Sequence, residues 1–110
     1  MQLKDKKCIP CEGGVPPLAV NKRIELLDSL DAKWSLTHDN NRLFRRVEYK
    51  DFKTPMKKVE LISKLSEEQW HHPDLKFGWG YLEIEVWTHK IGSLVESDFI
   101  LAAKIDQILN

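Results

Sequence analysis

Leu82-Glu83-Ile84-Glu85-Val86-Trp87 is the stretch on which the fold turns. Leu82, Ile84 and Val86 alternate with Glu83, Glu85 and Trp87. Successive side chains of a strand point to opposite faces, so this run is a half-buried strand. Upstream, Arg42 to Lys50 repeats the pattern, with Leu43, Val47 and Tyr49 on one face and Arg46, Glu48 and Lys50 on the other. Trp34-Ser35-Leu36 begins a shorter strand, and the turn signal His38-Asp39-Asn40-Asn41 separates the two. Elsewhere the spacing becomes helical. Val20, Ile24, Leu27 and Leu30 mark a helix over residues 19–30. Met56, Val59, Ile62 and Leu65 mark a second, which Thr54 should cap, Pro55 should open and Trp70 should end. Phe99, Ala102, Ala103, Ile105 and Ile108 mark a last helix from Glu96 onwards. Strands with one apolar face suit a sheet covered on one side only. The expectation is an α+β fold of two layers, an antiparallel sheet of about four strands with helices packed on one face.

The 110 residues suffice for one domain with a modest core. Residues 1–18 hold Pro10, Gly13-Gly14, Pro16, Pro17 and both cysteines, and read as a flexible N-terminal arm ahead of a single domain over 19–110. Seventeen basic residues balance seventeen acidic ones, giving a formal charge of zero. That argues against direct nucleic-acid binding and against an anionic membrane surface. No apolar run approaches the ~20 residues of a membrane span. The first residues carry charge with no apolar stretch behind them, so no secretory signal is expected and the expected location is cytoplasmic. Cys8-Ile9-Pro10-Cys11 has the spacing of a zinc knuckle or a redox pair. No second such pair or nearby histidine completes a zinc site, and a polar tail is not the strand-to-helix turn of a redox motif. Two reduced thiols are the expectation.

Three of the four histidines fall close together: His71-His72-Pro73, then His89 after the strand. Imidazole has its unperturbed pKa nearest neutrality, so the cluster points to proton transfer or to metal. Pro73 pushes His72 towards an extended backbone, which places the pair at a helix-to-loop junction. Glu67 lies one helical turn before His71 and within reach of the pair. Asp98 lies in the first turn of the last helix, where it stabilises the helix start or orients His89. Adjacent histidines diverge and make poor joint ligands, and the i, i+4 pair of zinc helices is missing. On spacing alone acid–base catalysis, metal binding and a packing role all stay open. His38, in its turn, reads as solvated.

A longer pattern narrows the choice. Glu67-Glu68-Gln69-Trp70-His71-His72-Pro73, then Trp87-Thr88-His89, then Ser97-Asp98-Phe99-Ile100-Leu101-Ala102-Ala103-Lys104-Ile105-Asp106 resembles the signature of pterin-4a-carbinolamine dehydratases. Trp34-Ser35-Leu36, Val47-x-Tyr49-x-Asp51-Phe52 and the Cys8-x-x-Cys11 arm resemble bacterial members, so the similarity covers nearly the whole chain. Two positions depart from the family pattern. Ser93-Leu94-Val95 stands where Gly-Leu-Thr is usual, and Ala19 stands where a Ser or Thr caps the first helix. Neither valine nor alanine has a capping oxygen, a loss of ~1 kcal/mol each in typical hosts.

The resemblance implies a hydro-lyase, free of metal and of cofactor, acting on a 4a-hydroxytetrahydropterin, the product of aromatic amino-acid hydroxylases. It implies His71 and His89 as acid and base and His72 as a further site histidine that binds and shapes the pocket. Glu67 and Asp98 would support the imidazoles, and Pro73 and Thr88 would line the pterin site. It also implies a homodimer or homotetramer and functional coupling to a hydroxylase. Animal members double as dimerisation cofactors of a transcription factor, so a non-catalytic co-regulator module on the same fold is the alternative.

Overall fold

A computed structural model describes residues 1–9 and 15–110. After a 3-10 turn at Leu3–Asp5, the elements are α1 (Val20–Leu27), β1 (Ser35–Thr37), β2 (Arg42–Glu48), α2 (Lys53–Gln69), β3 (Asp74–Gly78), β4 (Tyr81–Val86) and α3 (Glu96–Leu109). The four strands form one sheet in the order β1-β2-β4-β3. All neighbours are antiparallel, with Leu43 opposite Val86 and Asp74 opposite Glu85. The fold is the expected α+β arrangement.

The register fixes the faces. Leu43, Leu82, Ile84 and Val86 are fully buried against Ile62 of α2 and Phe99, Leu101, Ala102 and Ile105 of α3. At ~25 cal/mol per Å² of apolar surface, this cluster supplies most of the driving force. The opposite face carries Arg46 paired to Glu83 at 2.5 Å and Arg42 beside Glu85 at 3.5 Å. Such cross-strand ion pairs suit a face left in water. One charged side chain breaks the pattern: Arg45 lies on the covered face and is 3% exposed. It is tolerated there because its Nη1 donates to Asp106 at 2.5 Å.

The details differ from the sequence reading at several points. β3 is the fourth strand, which the sequence reading counts but does not place, although Leu75 and Phe77 alternate with Asp74, Lys76 and Gly78. It joins β4 through the two-residue loop Trp79-Gly80, with Gly80 at φ 84°. A Cβ there would meet the Tyr49 carbonyl at 3.2 Å. α1 ends at Leu27, three residues early, because the chain turns so that Leu30 enters the core. Thr54 does not cap α2. The Asp51 carboxylate does, accepting the Thr54 N–H at 3.1 Å and its hydroxyl at 2.8 Å. Pro55 sits inside the first turn, where N–H groups have no helical partner in any case. The apolar residues of α3 are consumed within the chain, where Phe99 to Ala103 are all buried. The large exposed apolar side chains lie elsewhere and include Ile24, Phe52, Leu61, Trp70 and Trp79.

Residues 1–9 lie along α3. Leu3 packs on the core cluster, and the Lys104 ammonium donates to the Lys4 carbonyl at 2.9 Å. Cys11 lies outside the described residues. No helix among the described residues is long and apolar enough to cross a membrane.

Candidate active site

Two helix ends and one strand end build the site. α2 stops at Trp70, which adopts the left-handed conformation at φ 52°. The Trp70 and His71 N–H groups both turn back to the Ser66 carbonyl, the latter at 3.2 Å. Glycine or asparagine usually takes that place, because a Cβ is disfavoured there. The reversal sends His71 inward and leaves His72 outside.

His71 is buried, with Nε2 2.6 Å from Asp98 Oδ1. Asp98 is fully buried in the first turn of α3. Its Oδ2 accepts the Thr88 hydroxyl at 2.8 Å and the Val95 N–H at 2.9 Å. Half a capping box therefore survives without a capping side chain at Val95: the carboxylate takes the Val95 N–H, and the Asp98 N–H goes to the Val95 carbonyl at 3.1 Å. A carboxylate only accepts, so His71 donates through Nε2, and Nδ1 is the ring nitrogen left to exchange a proton. One tautomer is thereby selected, the condition for an imidazole that takes or gives a proton at a defined atom.

His72 behaves differently. Its Nε2 lies 2.5 Å from Glu67 Oε2, yet the two side chains are 48% and 64% exposed. The left-handed residue shifts the reach of Glu67 by one position, from His71 to His72. The Trp70 ring meets His72 edge-on at 5.2 Å.

His89 follows β4, in a loop closed by the Thr88–Ser93 bridge with Thr88 N–H to Ser93 carbonyl at 2.9 Å. Its Nε2 is 3.8 Å from Asp74 Oδ1, and its ring lies 4.1 Å from that of Trp87. The Arg42 guanidinium covers Trp87 at 3.9 Å, a cation–π contact that steadies the indole. Asp98 thus holds His71 and not His89, whose carboxylate neighbour is Asp74.

Each of the three histidines has a carboxylate neighbour: His71–Asp98 in the interior, His72–Glu67 and His89–Asp74 at the surface. Two links bring them together. Asp98 ties His71 to Thr88, which precedes His89. Asp74 ties His89 to the strand that Pro73 joins to His72. Pro73 is half-buried, and Thr88 is buried with its hydroxyl on Asp98. Sequence reasoning missed Asp74, for which the alternation of β3 was the available signal, and it quoted Trp87 within the motif without giving it a role. Among the described residues, no three His, Cys, Asp or Glu side chains converge as metal ligands would. A hollow of about 550 Å³ lies elsewhere, lined by Leu3, Asp31, Asp106 and Asn110 among others. None of the histidines borders it.

Against known proteins, the model of the Pterin 4 alpha carbinolamine dehydratase family matches residues 16–108. The chain belongs to this family. A Rickettsia bellii relative whose name assigns it to the same dehydratase is 48% identical over 108 residues, covering 98% of this chain and 95% of the relative. One from Rubrobacter xylanophilus is 44% identical over 107 residues, covering 97% and 98%. A solved Brucella melitensis structure, described as a transcriptional coactivator/pterin dehydratase, superposes with a TM-score of 0.79 at 23% identity, covering 86% of this chain and 100% of that one. A pterin dehydratase-like protein described as a RuBisCO assembly factor in the alpha-carboxysome gives 0.59 at 23% identity, covering 69% and 88%. At those identities the two structures share the dehydratase family's fold with this chain, and no more is drawn from them.

Proposed function

We propose that this chain dehydrates a 4a-hydroxytetrahydropterin to the quinonoid dihydropterin, with His71 and His89 as the proton-transfer pair. One imidazolium delivers a proton to the 4a-hydroxyl as the C4a–O bond breaks and water leaves. The other imidazole takes the N5 proton, and that electron pair closes the N5=C4a double bond. The two rings exchange protonation states, and solvent restores them. Family membership supports the reaction. The observation that carries the residue roles is the buried His71–Asp98 bond, whose carboxylate also fixes the Thr88 hydroxyl beside His89. His72, with Glu67, serves at the exposed rim, where Pro73 and Thr88 help shape the pterin pocket.

The reaction needs no metal and no cofactor, since both events are proton transfers that imidazoles perform near neutrality. The substrate comes from an aromatic amino-acid hydroxylase in the cytosol, to which the enzyme is functionally coupled. The rival reading, a non-catalytic dimerisation or co-regulator module, gives no reason for a buried histidine bonded to a fully buried carboxylate. The test is a dehydration assay with 4a-hydroxytetrahydropterin generated in situ, with and without chelator, alongside elemental analysis. Acceleration that survives chelation is expected. No acceleration over solvent sinks the enzyme reading, and about one metal per chain sinks the metal-free one.

β1 and β3 are sheet edges with unpaired backbone groups, and a closed homodimer or homotetramer is the usual way to hide such edges. Light scattering decides it against the chain mass of 12.9 kDa.

A further inference from the structure

The N-terminal segment joins the two helix ends that make the buried His71–Asp98 pair. Following α3 towards its start, Lys6 Nζ meets Glu96 Oε2 at 3.0 Å. At Cys8 the segment crosses to α2, where the Cys8 N–H donates to Gln69 Oε1 at 3.0 Å. The next residue returns to α3: the Ile9 N–H donates to Ser97 Oγ at 2.8 Å, and the Ser97 hydroxyl lies 3.2 Å from the Ile9 carbonyl. The Cys8 thiol sits 3.5 Å from the Ser97 carbonyl. Gln69 is the last residue of α2, just before the reversal that turns His71 inward, and Ser97 directly precedes Asp98. Residues 1–15 lie outside the match to the family model.

We propose that residues 3–9 form a strap that sets the His71–Asp98 bond, with Gln69 and Ser97 as positioning residues for the proton transfer. Two consecutive strap residues grip two elements whose relative position decides whether His71 Nε2 meets Asp98 Oδ1. Loosening either grip lets the α2 end drift from the α3 start. Misplacement by ~1 Å costs as much as ~10²-fold in rate, so a partial shift should cost ~3–10-fold. The inference rests on the reading of His71 as a catalytic residue.

Cys8 reports on the strap. Burial pushes its thiol up to about 11, with Lys104 opposing and Asp98 reinforcing, so the docked thiol is a poor nucleophile. In full-length chain carrying Cys11→Ser, three quantities are measured: alkylation of Cys8, the ring nitrogen NMR shifts of His71, and kcat and KM for dehydration. Gln69→Leu and Ser97→Ala should speed alkylation, move the His71 shifts and lower kcat ~3–10-fold at constant KM. Gln69→Glu keeps the acceptor oxygen and should restore all three. Lys6→Glu, on the surface and repelled by Glu96, should act in the same direction more weakly, and it serves if the buried Ser97 variant does not fold. Faster alkylation with His71 shifts and kcat at wild-type values would overturn the strap. So would lower kcat with alkylation unchanged. If the wild-type chain shows no dehydration, the proposed function fails, and the His71 shifts still decide the strap.

Discussion

Asp98 and Asp106 stand about two turns apart on α3 and are built alike. Both are buried, and both accept one backbone N–H and two side-chain donors. Asp98 takes Val95 N–H, the Thr88 hydroxyl and His71. Asp106 takes Asp31 N–H at 3.0 Å, the Trp34 indole at 2.7 Å and Arg45 at 2.5 Å. What separates them is the chemistry of the donors. A guanidinium does not give up its proton and an indole N–H only donates, so the Asp106 cluster is electrostatically fixed. It ties β2, α3 and the segment before β1 into one body and lets a charged arginine sit in the core. Imidazole can exchange its proton near neutral pH, so the same carboxylate arrangement at Asp98 suits the proton transfer proposed above. A buried, fully bonded carboxylate is therefore no sign of a site by itself, and its partner decides.

The largest expected effect tests the fixed end. Asp106→Asn takes the nearer counter-charge from buried Arg45 and leaves only Asp31 at 3.8 Å, at a cost of ~3–5 kcal/mol. That is a large part of the ~5–15 kcal/mol of a typical domain. Thermal unfolding should fall by more than ~10 °C, while kcat at low temperature stays within threefold. A collapse of kcat with unfolding unchanged would break the division of labour. The chemical end comes next. Asp98→Asn takes away the charge and leaves one acceptor oxygen where His71, Thr88 and the Val95 N–H use two, so His71 loses its fixed partner and kcat should fall by ~10²-fold or more. His71→Ala and His89→Ala should each lose ~10²-fold or more with the fold intact by circular dichroism. Activity within a few fold of wild type in both histidine variants would remove them from the mechanism.

The two ends were not equally legible in the sequence. β2, β4, α2 and α3 were readable because each buries one face, and burial of a face writes its period into the chain. β3 escaped because five residues carry only Leu75 and Phe77 as signal. Arg45 was opaque: an arginine at an apolar position of β2 looks like an interruption, and its partner Asp106 is far away in the sequence. The histidines and their carboxylates were visible as residue types, but their pairing was not. Glu67 meets His72 because Trp70 is left-handed, a conformation that tryptophan does not advertise. Asp98 meets His71 because α2 packs on α3, which no local pattern encodes.

The exposed histidine pair should sharpen the contrast by its weakness. His72–Glu67 is as short as any contact of Asp98, yet water surrounds it, and such pairs contribute ~1 kcal/mol or less. Glu67→Gln should change kcat/KM by less than about fivefold, far below Asp98→Asn. An effect equal to that of Asp98→Asn would show that distance, and not burial, sets the importance of a carboxylate here.

The smallest effect belongs to Asp31, at the edge of the Asp106 cluster. Its carboxyl is held below the ordinary value of 3.8, chiefly by the Lys33 N–H and then by Arg45, against the opposing effect of desolvation. A carboxyl with a lowered folded-state pKa stabilises the fold above its unfolded value and loses that contribution as pH falls through the folded one. Near pH 7, Asp31→Asn should therefore lower thermal unfolding by less than ~5 °C, because Arg45 Nη2 is 3.8 Å from Asp31 Oδ2 and keeps Asp106 as its nearer partner. The gap between wild type and variant should narrow as pH falls through the folded-state value and the Asp31 carboxyl takes up its proton. A gap that persists in acid would mean that Asp31 acts by shape or hydrogen bonding alone. The Asp106 cluster would then be held by its central carboxylate without electrostatic help from the second.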